Sequence, residues 1–545
     1  MHPCPAVLLA LALAATSAAA EPPPIAPEAI RAHVEFLADD LLEGRAAGSR
    51  GYDLAARYVA GQMRLIGLEP AGDGGGWYQE MKLIEAVRDI PAASLVVRRA
   101  GGEDALAPLE DFLPGFWFYG PESAVTAPAT FVGFGIRAPE LGHDDLAGVD
   151  LAGRIAVVLA GAPASFPDSQ RAHYSGRNKM DTLAARGAVG IVTVDTPEEE
   201  ARVPWSKKRQ ASWAPRSRLL DADGEPVDAY PGIRGSASVS HAAAERLFAG
   251  AATTAAEAFA AAREGRARSF ALPGELSISL DNALSCARSA NVIGLLRGSD
   301  PALAGEYVVF TAHLDHIGRG AAVNGDDIYN GALDNASGVA VMLETARALA
   351  ASPVKPRRSI LFAALTAEER GLLGAYRFAA QPTVPRAAIV ANVNTDMPSA
   401  IYPLAGVTLY GAAHSTLGDT ARSALAAEGF VETPDPAPEE VTFVRSDQYP
   451  FVRAGIPAVY PDVGALSTDP SVDAAAELRR FLLEHYHMPS DSAALPIHWP
   501  SLARLARFEV RLGLAIANAD ARPAWLPGDF FGETFGDGPP AAAAD

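Results

Sequence analysis

Tyr307-Val308-Val309-Phe310-Thr311-Ala312 runs without a break into His313-Leu314-Asp315-His316. An apolar run of this length without alternation predicts a strand buried on both faces. Two further stretches repeat the arrangement. Ser359–Leu365 runs into Thr366-Ala367-Glu368-Glu369, and Ala388–Val393 runs into Asn394-Thr395-Asp396. Asn291–Leu296 and Ala458–Tyr460 read as further strands. Helical apolar spacing covers Ser337–Ala350, Gly371–Ala380, Leu417–Glu428, Ala474–Leu483 and Ser501–Ala517. Buried strands alternating with helices predict an α/β fold whose mixed, mostly parallel central sheet is flanked by helices. In such sheets ligands gather beyond the carboxyl ends of the strands. His313, the Glu368-Glu369 pair and Asp396 are therefore expected along one edge.

A fourth element is Asn330-Gly331-Ala332-Leu333-Asp334-Asn335-Ala336-Ser337-Gly338, in which Asp334 opens a helix with Val339, Met342, Leu343 and Ala346 on its apolar stripe. Alone, such an Asp is an ordinary N-cap, and a lone Glu-Glu pair is ordinary solvated surface. Their joint occurrence at strand ends of one sheet is what carries weight. These residue types suit two-metal chemistry, in which two Zn²⁺ ions about 3.5–4 Å apart need a bridging carboxylate such as Asp334. A His and a further carboxylate complete each metal. Asp315, two residues past His313, suits a carboxylate that steadies a ligand imidazole. Of Glu368 and Glu369, one can bind metal while the other stays free to accept a proton.

Five motifs in this order, AHLDHIG (Ala312–Gly318), NGALDNASG (Asn330–Gly338), TAEERGLLGA (Thr366–Ala375), VNTDM (Val393–Met397) and YHMPSD (Tyr486–Asp491), resemble the di-zinc aminopeptidases. That family includes bacterial leucyl aminopeptidases and yeast aminopeptidase Y, and is related to glutamate carboxypeptidase and the transferrin receptor. The resemblance implies a zinc-exopeptidase, phosphorylase/hydrolase-like catalytic domain holding two Zn²⁺ per chain. Asp334 would bridge them, with His313 and Asp396 on one and Glu369 and His487 on the other. It further implies Glu368 as general base toward a metal-activated water, Asp315 as the residue that orients the His313 ring, Tyr486 as a contact to the scissile carbonyl, and a cis peptide between Asp334 and Asn335. His487 rests on this resemblance alone, because His485 and His498 lie close by. Peptides are the implied substrates, cleaved from the N-terminus, with a homodimer as a further assembly. Three other readings share parts of the pattern: a single-zinc glutaminyl cyclase, a glutamate-carboxypeptidase-like enzyme and a non-catalytic receptor-like binding protein. The second of these would need arginines for substrate carboxylates, and Arg445 and Arg453 flank Ser446-Asp447-Gln448-Tyr449-Pro450.

Outward from the motifs, residues 28–66 read as two helices broken at Gly44-Arg45-Ala46-Ala47-Gly48, and Leu41–Pro70 resembles the family's N-terminal helices. Residues 121–275 read as an inserted β-rich module. Its expected strands are Thr130–Phe134, Ile155–Leu159 and Gly190–Val194, with helices near Met180–Arg186 and Ala242–Arg263, and Phe131–Leu159 resembles a protease-associated domain. Its basic stretch Arg202–Arg218, with Trp205 and Trp213, reads as a solvated loop carrying packed tryptophans. The expected layout is therefore 21–120 and 276–525 for the peptidase domain, 121–275 for the insertion and 526–545 for a loose tail.

The first twenty residues carry a short apolar run, Ala6–Ala15, and an A-x-A pattern ending at Ala20. This predicts a signal peptide cleaved after Ala20 and a secreted or periplasmic destination. Of the two cysteines, Cys4 and Cys286, only the second would remain, so an intramolecular disulfide is excluded. A net charge of −20 over 545 residues repels phosphate backbones and argues against nucleic-acid binding. No stretch after the signal is long and apolar enough for a membrane span.

Overall fold

The computed structural model describes residues 23–536 except residue 177, so the expected signal peptide and the end of the C-terminal tail lie outside the described residues. The central sheet is built from β1 (Tyr78–Arg88), β2 (Arg216–Leu219), β3 (Phe270–Leu296), β4 (Tyr307–His313), β5 (Ser359–Leu365), β6 (Ile389–Asn394), β7 (Gly406–Tyr410) and β8 (Ala458–Val463). Its spatial order is β2-β1-β3-β5-β4-β6-β8-β7. The middle four strands, β5-β4-β6-β8, are parallel, and the flanking pairs are antiparallel, so the sheet is mixed as expected.

Register decides where the chemistry goes. His313 pairs with Leu365, and Thr311 pairs with Asn394, so β4, β5 and β6 end at nearly one level. Glu368 and Asp396 follow within three residues of those ends. β4 from Val308 and all of β5 are buried, and most of their residues are apolar, because both faces of these strands are covered. α1 (Pro27–Leu37), α2 (Arg50–Ile66), α3 (Ser337–Ala351) and α4 (Trp499–Asn518) pack against one face. Val339, Met342, Leu343 and Ala346 are fully buried, as the stripe predicts. Phe310 and Phe362 stack across β4 and β5 with centroids 5.5 Å apart. Burying each ring contributes about 2–3 kcal/mol.

A second sheet is built from strands between Ser94 and the first half of β3. β3 pairs with Ser94–Arg99 and Glu122–Phe131 through residues 270–281, then with β1 and β5 through residues 282–296. One continuous strand therefore belongs to both sheets. Parallel strands Ile155–Leu159, Gly190–Val194 and Gly235–Val239 extend the second sheet over a separate core that includes Phe131, Val157, Val192, Phe248 and Ile278.

Three expectations change in detail. The helix read over Ala242–Arg263 is two helices, Ala244–Phe248 and Ala255–Arg263. Gly250 at φ +81° stops the first, and a capping box of Thr254 and Glu257 starts the second. The strand read over Thr130–Phe134 ends at Phe131, where the chain turns through Gly133 at φ +53°. The border at residue 121 is crossed in both directions. Ser94–Arg99 already pairs with the second sheet, whereas β2, well inside residues 121–275, pairs with β1 in the central sheet. Strand partners follow from distant hydrogen bonds, which local composition does not encode. Among the described residues no helix is long and apolar enough to cross a membrane. Cys286 is a free, exposed thiol.

Glu509 on α4 is fully buried beneath the sheet end, accepting from the hydroxyls of Thr395 (2.7 Å) and Thr345 (3.2 Å). Burial pushes its carboxyl up to about 7, with the two hydroxyls pulling the other way. A carboxyl raised from about 4.3 in the unfolded chain to about 7 in the fold loses stability progressively as pH rises between those values, reaching on the order of 4 kcal/mol above them. Glu509→Gln is expected to raise the melting temperature at pH 8 by roughly 2–4 °C and to leave it nearly unchanged at pH 4.5, measured by calorimetric scans at both pH values.

Candidate metal centre

The chain segments that carry the site are held at unusual backbone angles. Ala367 before Glu368 has φ +55°, Met397 after Asp396 has φ +44°, and His487 itself has φ +58°. Non-glycine residues seldom adopt this region, and it persists where the surroundings over-determine it. The Asp334–Asn335 peptide is cis, as the resemblance implies. Gly331 precedes this turn at φ +59°, and a Cβ there would lie 2.1 Å from the Asp334 carbonyl oxygen.

Asp334 sits between two groups of side chains. Its Oδ1 is 3.2 Å from His313 Nε2, which is also 2.9 Å from Asp396 Oδ1. Its Oδ2 is 3.2 Å from His487 Nε2, which is also 3.1 Å from Glu369 Oε2. The five expected ligand residues therefore meet, with the shared carboxylate in the middle. His316, quoted in the first motif but given no role there, joins the second group: its Nδ1 is 2.7 Å from Glu369 Oε1 and 3.7 Å from Asp334 Oδ2. Both HxDH histidines are thus at the site. Only the fold reveals this, because residues three apart past a strand end need not face the same way.

The donor set fits a pair of zinc ions. His313, Asp334 and Asp396 form one compact buried group, and His316, Asp334 and Glu369 another. Tetrahedral zinc with bonds near 2.0–2.1 Å spaces neighbouring ligands by about 3.3 Å, close to the separations above. His316 Nδ1 and Glu369 Oε1, although 2.7 Å apart, are not aligned for a hydrogen bond, and both lack any other partner. Two donor atoms turned toward a common third point suit a shared cation better than each other.

Electrostatics agree. Burial pushes the Glu369 carboxyl up, but His487 and His316 outweigh it and hold it well below the usual range. The Asp334 carboxyl, raised by burial and by Glu369, is brought down to about 2 by His313, His316 and His487. Burial opposes the charged form of His313, yet Asp396, Glu368 and Asp334 hold its imidazolium well above the ordinary value. Glu368 behaves differently: burial, then Glu369, Asp396 and Asp447, push its carboxyl well up against the pull of His313. Adjacent glutamates in one strand-end turn are thereby driven in opposite directions.

Asp315 does not make the expected contact. Its carboxylate is 4.0 Å from His313 Nδ1, whereas its backbone carbonyl accepts from that nitrogen at 3.1 Å. The Asp315 carboxylate instead accepts the Glu368 N–H at 3.1 Å. The tight strand-end turn brings the carbonyl nearer the ring than the side chain can come. Tyr486 stacks on the His487 ring with centroids 3.8 Å apart. Arg445 pairs with Glu440 at 2.5 Å, and Arg453 lies over the Tyr376 ring at 5.7 Å.

Further residues complete the support. Asp491, quoted only as the end of a motif, accepts from the backbone N–H of Leu333 (2.9 Å) and of Asp334 (3.0 Å). Asn335 accepts from Met397 N–H and donates to the Thr395 carbonyl, tying the bridging loop to the strand that delivers Asp396. Ser446 donates to Asp396 Oδ2 at 2.6 Å. Arg45, from the break between α1 and α2, is fully buried and donates to the carbonyls of Leu37, Leu314, Asn330 and Gly331. Its place between Gly44 and Ala46 in a helix break carried no signal for such a role.

Residues 291–512 match the family model described as Peptidase family M28. Over 115 residues the chain is 36% identical to Aminopeptidase NAALADL1 of Mus musculus, a match covering 20% of this chain and 14% of that protein. Over 177 residues it is 32% identical to Leupeptin-inactivating enzyme 1 of Streptomyces exfoliatus, covering 32% of this chain and 35% of that one. These matches span about a third or less of the curated relatives. In fold, the chain is similar to the aminopeptidase from Aneurinibacillus sp. strain AM-1, with a TM-score of 0.51 at 19% identity over 92% of this chain and 95% of that one. The stretch that matches the peptidase family M28 model, residues 291–512, holds all eight expected site residues.

Proposed function

We propose that this protein is a zinc-dependent exopeptidase acting as an aminopeptidase on peptides. The observation that carries the reading is the division of Asp334, one carboxylate oxygen facing His313 and Asp396 and the other facing Glu369 and His487. On this reading two zinc ions are held by those five residues, with His316 beside Glu369. Bound there, zinc supplies Lewis-acid polarisation of the scissile carbonyl and a lowered pKa for water.

The chain's own part is proton handling and orientation. Glu368 accepts the proton of the attacking water and delivers it to the leaving amine, a role that suits a buried carboxyl raised above the usual range. The Asp315 carboxylate, bound to the Glu368 N–H, fixes the turn that aims Glu368. The Asp315 carbonyl sets the tautomer of His313 by accepting from Nδ1–H, leaving Nε2 as the ligand atom. Tyr486, seated against His487, is read as a donor to the carbonyl oxygen. The match of residues 291–512 to the peptidase family M28 model and an aminopeptidase among the relatives support the polarity. The pairing of Arg445 with Glu440 gives the carboxypeptidase reading no support at that position. Residues 121–275 are read as a protease-associated module on the strength of their own sheet and core, and the Ala6–Ala20 pattern is read as an export signal.

Glu368→Gln is expected to lower kcat by at least about 10²–10⁴-fold while zinc content by elemental analysis stays at the wild-type level. Near-normal turnover in that zinc-loaded variant would remove Glu368 as the base. Aminoacyl nitroanilides and dipeptides should be cleaved and their N-acetylated forms should not, with activity lost in chelator and regained on adding Zn²⁺. Cleavage of acetylated substrates would reverse the polarity. About one zinc per chain, together with cyclisation of an N-terminal Gln peptide, would replace the peptidase by a cyclase.

A further inference from the structure

A serine, a histidine and an aspartate from three distant stretches of the chain meet apart from the metal ligands. Ser169 is the second residue of the helix Asp168–Ser175. His414 lies in the turn after β7, and Asp529 stands just before the short helix Phe530–Phe535. His414 Nδ1 is 2.6 Å from Asp529 Oδ2, and its Nε2 is 3.4 Å from Ser169 Oγ. Among the described residues, none of these three side chains hydrogen-bonds to a residue of the metal centre.

Backbone contacts and packing hold the arrangement. The Leu526 N–H donates to the His414 carbonyl at 2.9 Å, and Ser415 bridges to Trp525, so the segment that leads to Asp529 is fixed beside the histidine. Asp529 Oδ1 accepts from the Gly532 N–H at 2.9 Å, which leaves Oδ2 to the imidazole. The Phe443 ring stacks on His414 with centroids 5.1 Å apart, and Phe531 meets the imidazole edge-on at 4.9 Å.

The direction of each hydrogen bond follows from the groups. An ionised carboxylate only accepts, so Nδ1 carries the proton toward Asp529 and Nε2 is left to accept from the Ser169 hydroxyl. A base beside a nucleophile, itself oriented by a carboxylate, is the arrangement that activates a serine, and it is recognised by geometry rather than by order in the chain. The Asp529 and His414 side chains are 8% and 16% exposed, whereas Ser169 is half-buried, so a shielded pair backs a hydroxyl that a ligand can reach. No side chain caps the helix Asp168–Ser175, whose first-turn N–H groups have no partner within the helix. The Gln170 N–H, next after the serine, is placed as the N–H after a nucleophile is when it receives an oxyanion.

We propose that Ser169, His414 and Asp529 form a second, metal-independent hydrolytic site for carboxylic esters with an apolar acyl group. Ser169 Oγ adds to the ester carbonyl carbon while His414 Nε2 takes its proton. The bond from that carbon to the alkoxy oxygen then breaks, and the proton leaves on the alcohol. Water attacks the acyl-serine as His414 takes one of its protons. The acyl–Oγ bond breaks, the carboxylic acid departs, and His414 returns the proton to Ser169. Esters suit this site better than amides because a 3.4 Å contact to the base is long for a hydroxyl and calls for an easier leaving group. The Phe443 and Phe531 rings give the acyl group an apolar surface beside the base. This activity does not depend on the peptidase reading.

Treatment of the zinc-loaded Glu368→Gln protein with diisopropyl fluorophosphate, followed by mass spectrometry of its peptides, tests the nucleophile. One phosphoryl adduct per chain is expected on Ser169, the Oγ–P bond forming as fluoride leaves. His414→Gln should slow that labelling at least about 10²-fold. The same Glu368→Gln protein should hydrolyse p-nitrophenyl butyrate, and adding Ser169→Ala should lower that rate at least about tenfold. Should His414→Gln fail to fold, the adduct and the Ser169→Ala rate decide the matter. No adduct on Ser169, an adduct formed equally fast in folded His414→Gln, or ester hydrolysis that is absent or untouched by Ser169→Ala overturns the proposal and leaves the three residues as a structural bridge.

Discussion

The organising constraint of this molecule is the gathering of carboxylates in a place nearly closed to water. Asp315, Asp334, Asp396, Asp447 and Asp491 are buried, with Glu368 and Glu369 between them. Unpaired anions in such surroundings are costly, by several kcal/mol each after relaxation. The protein meets this cost with three histidines, with backbone N–H groups aimed at Asp315 and Asp491, and with a buried cation, Arg45, behind the bridging loop. Asp447 is the exception. Both its oxygens are unpartnered, and burial together with Asp396 and Asp315 pushes its carboxyl well up against the pull of His313.

The same constraint accounts for the local backbone. The ligands must converge from three strand ends and two loops, and an ordinary strand exit would carry successive side chains apart. Left-handed angles at Ala367, Met397 and His487 turn each ligand inward. Asn335 and Asp491 then lock the bridging loop to its neighbours by hydrogen bonds to main-chain groups. Strain of about 1–3 kcal/mol at each such position is tolerable because the strands beneath are fully buried and rigid.

Residues 121–275 are tied to the central sheet through covalent continuity and through pairing. β3 passes from one sheet to the other without interruption, and β2 returns from the insertion to pair beside β1. Trp213, read from sequence as a packed loop residue, lies against Tyr329 with centroids 5.8 Å apart and the rings tilted by 50°, next to the loop that carries Asp334.

By itself the sequence determined the strands β4, β5 and β6, the helix after Asp334 and the edge at which His313, Glu368, Glu369 and Asp396 emerge. Uniformly apolar strands and period-3.6 helices are local signals, and a parallel sheet converts strand ends into one site. His487 needed the motif pattern, since nothing local separates it from His485. Only the tertiary structure decided that His316 faces Glu369, that the carbonyl rather than the carboxylate of Asp315 holds His313, that Arg45 lies under the bridging loop, and that β3 serves two sheets. Each of these depends on contacts between residues far apart in the chain or on which way a side chain leaves a turn. Composition and spacing carry neither, because they record which groups are present and not the directions in which the folded backbone points them.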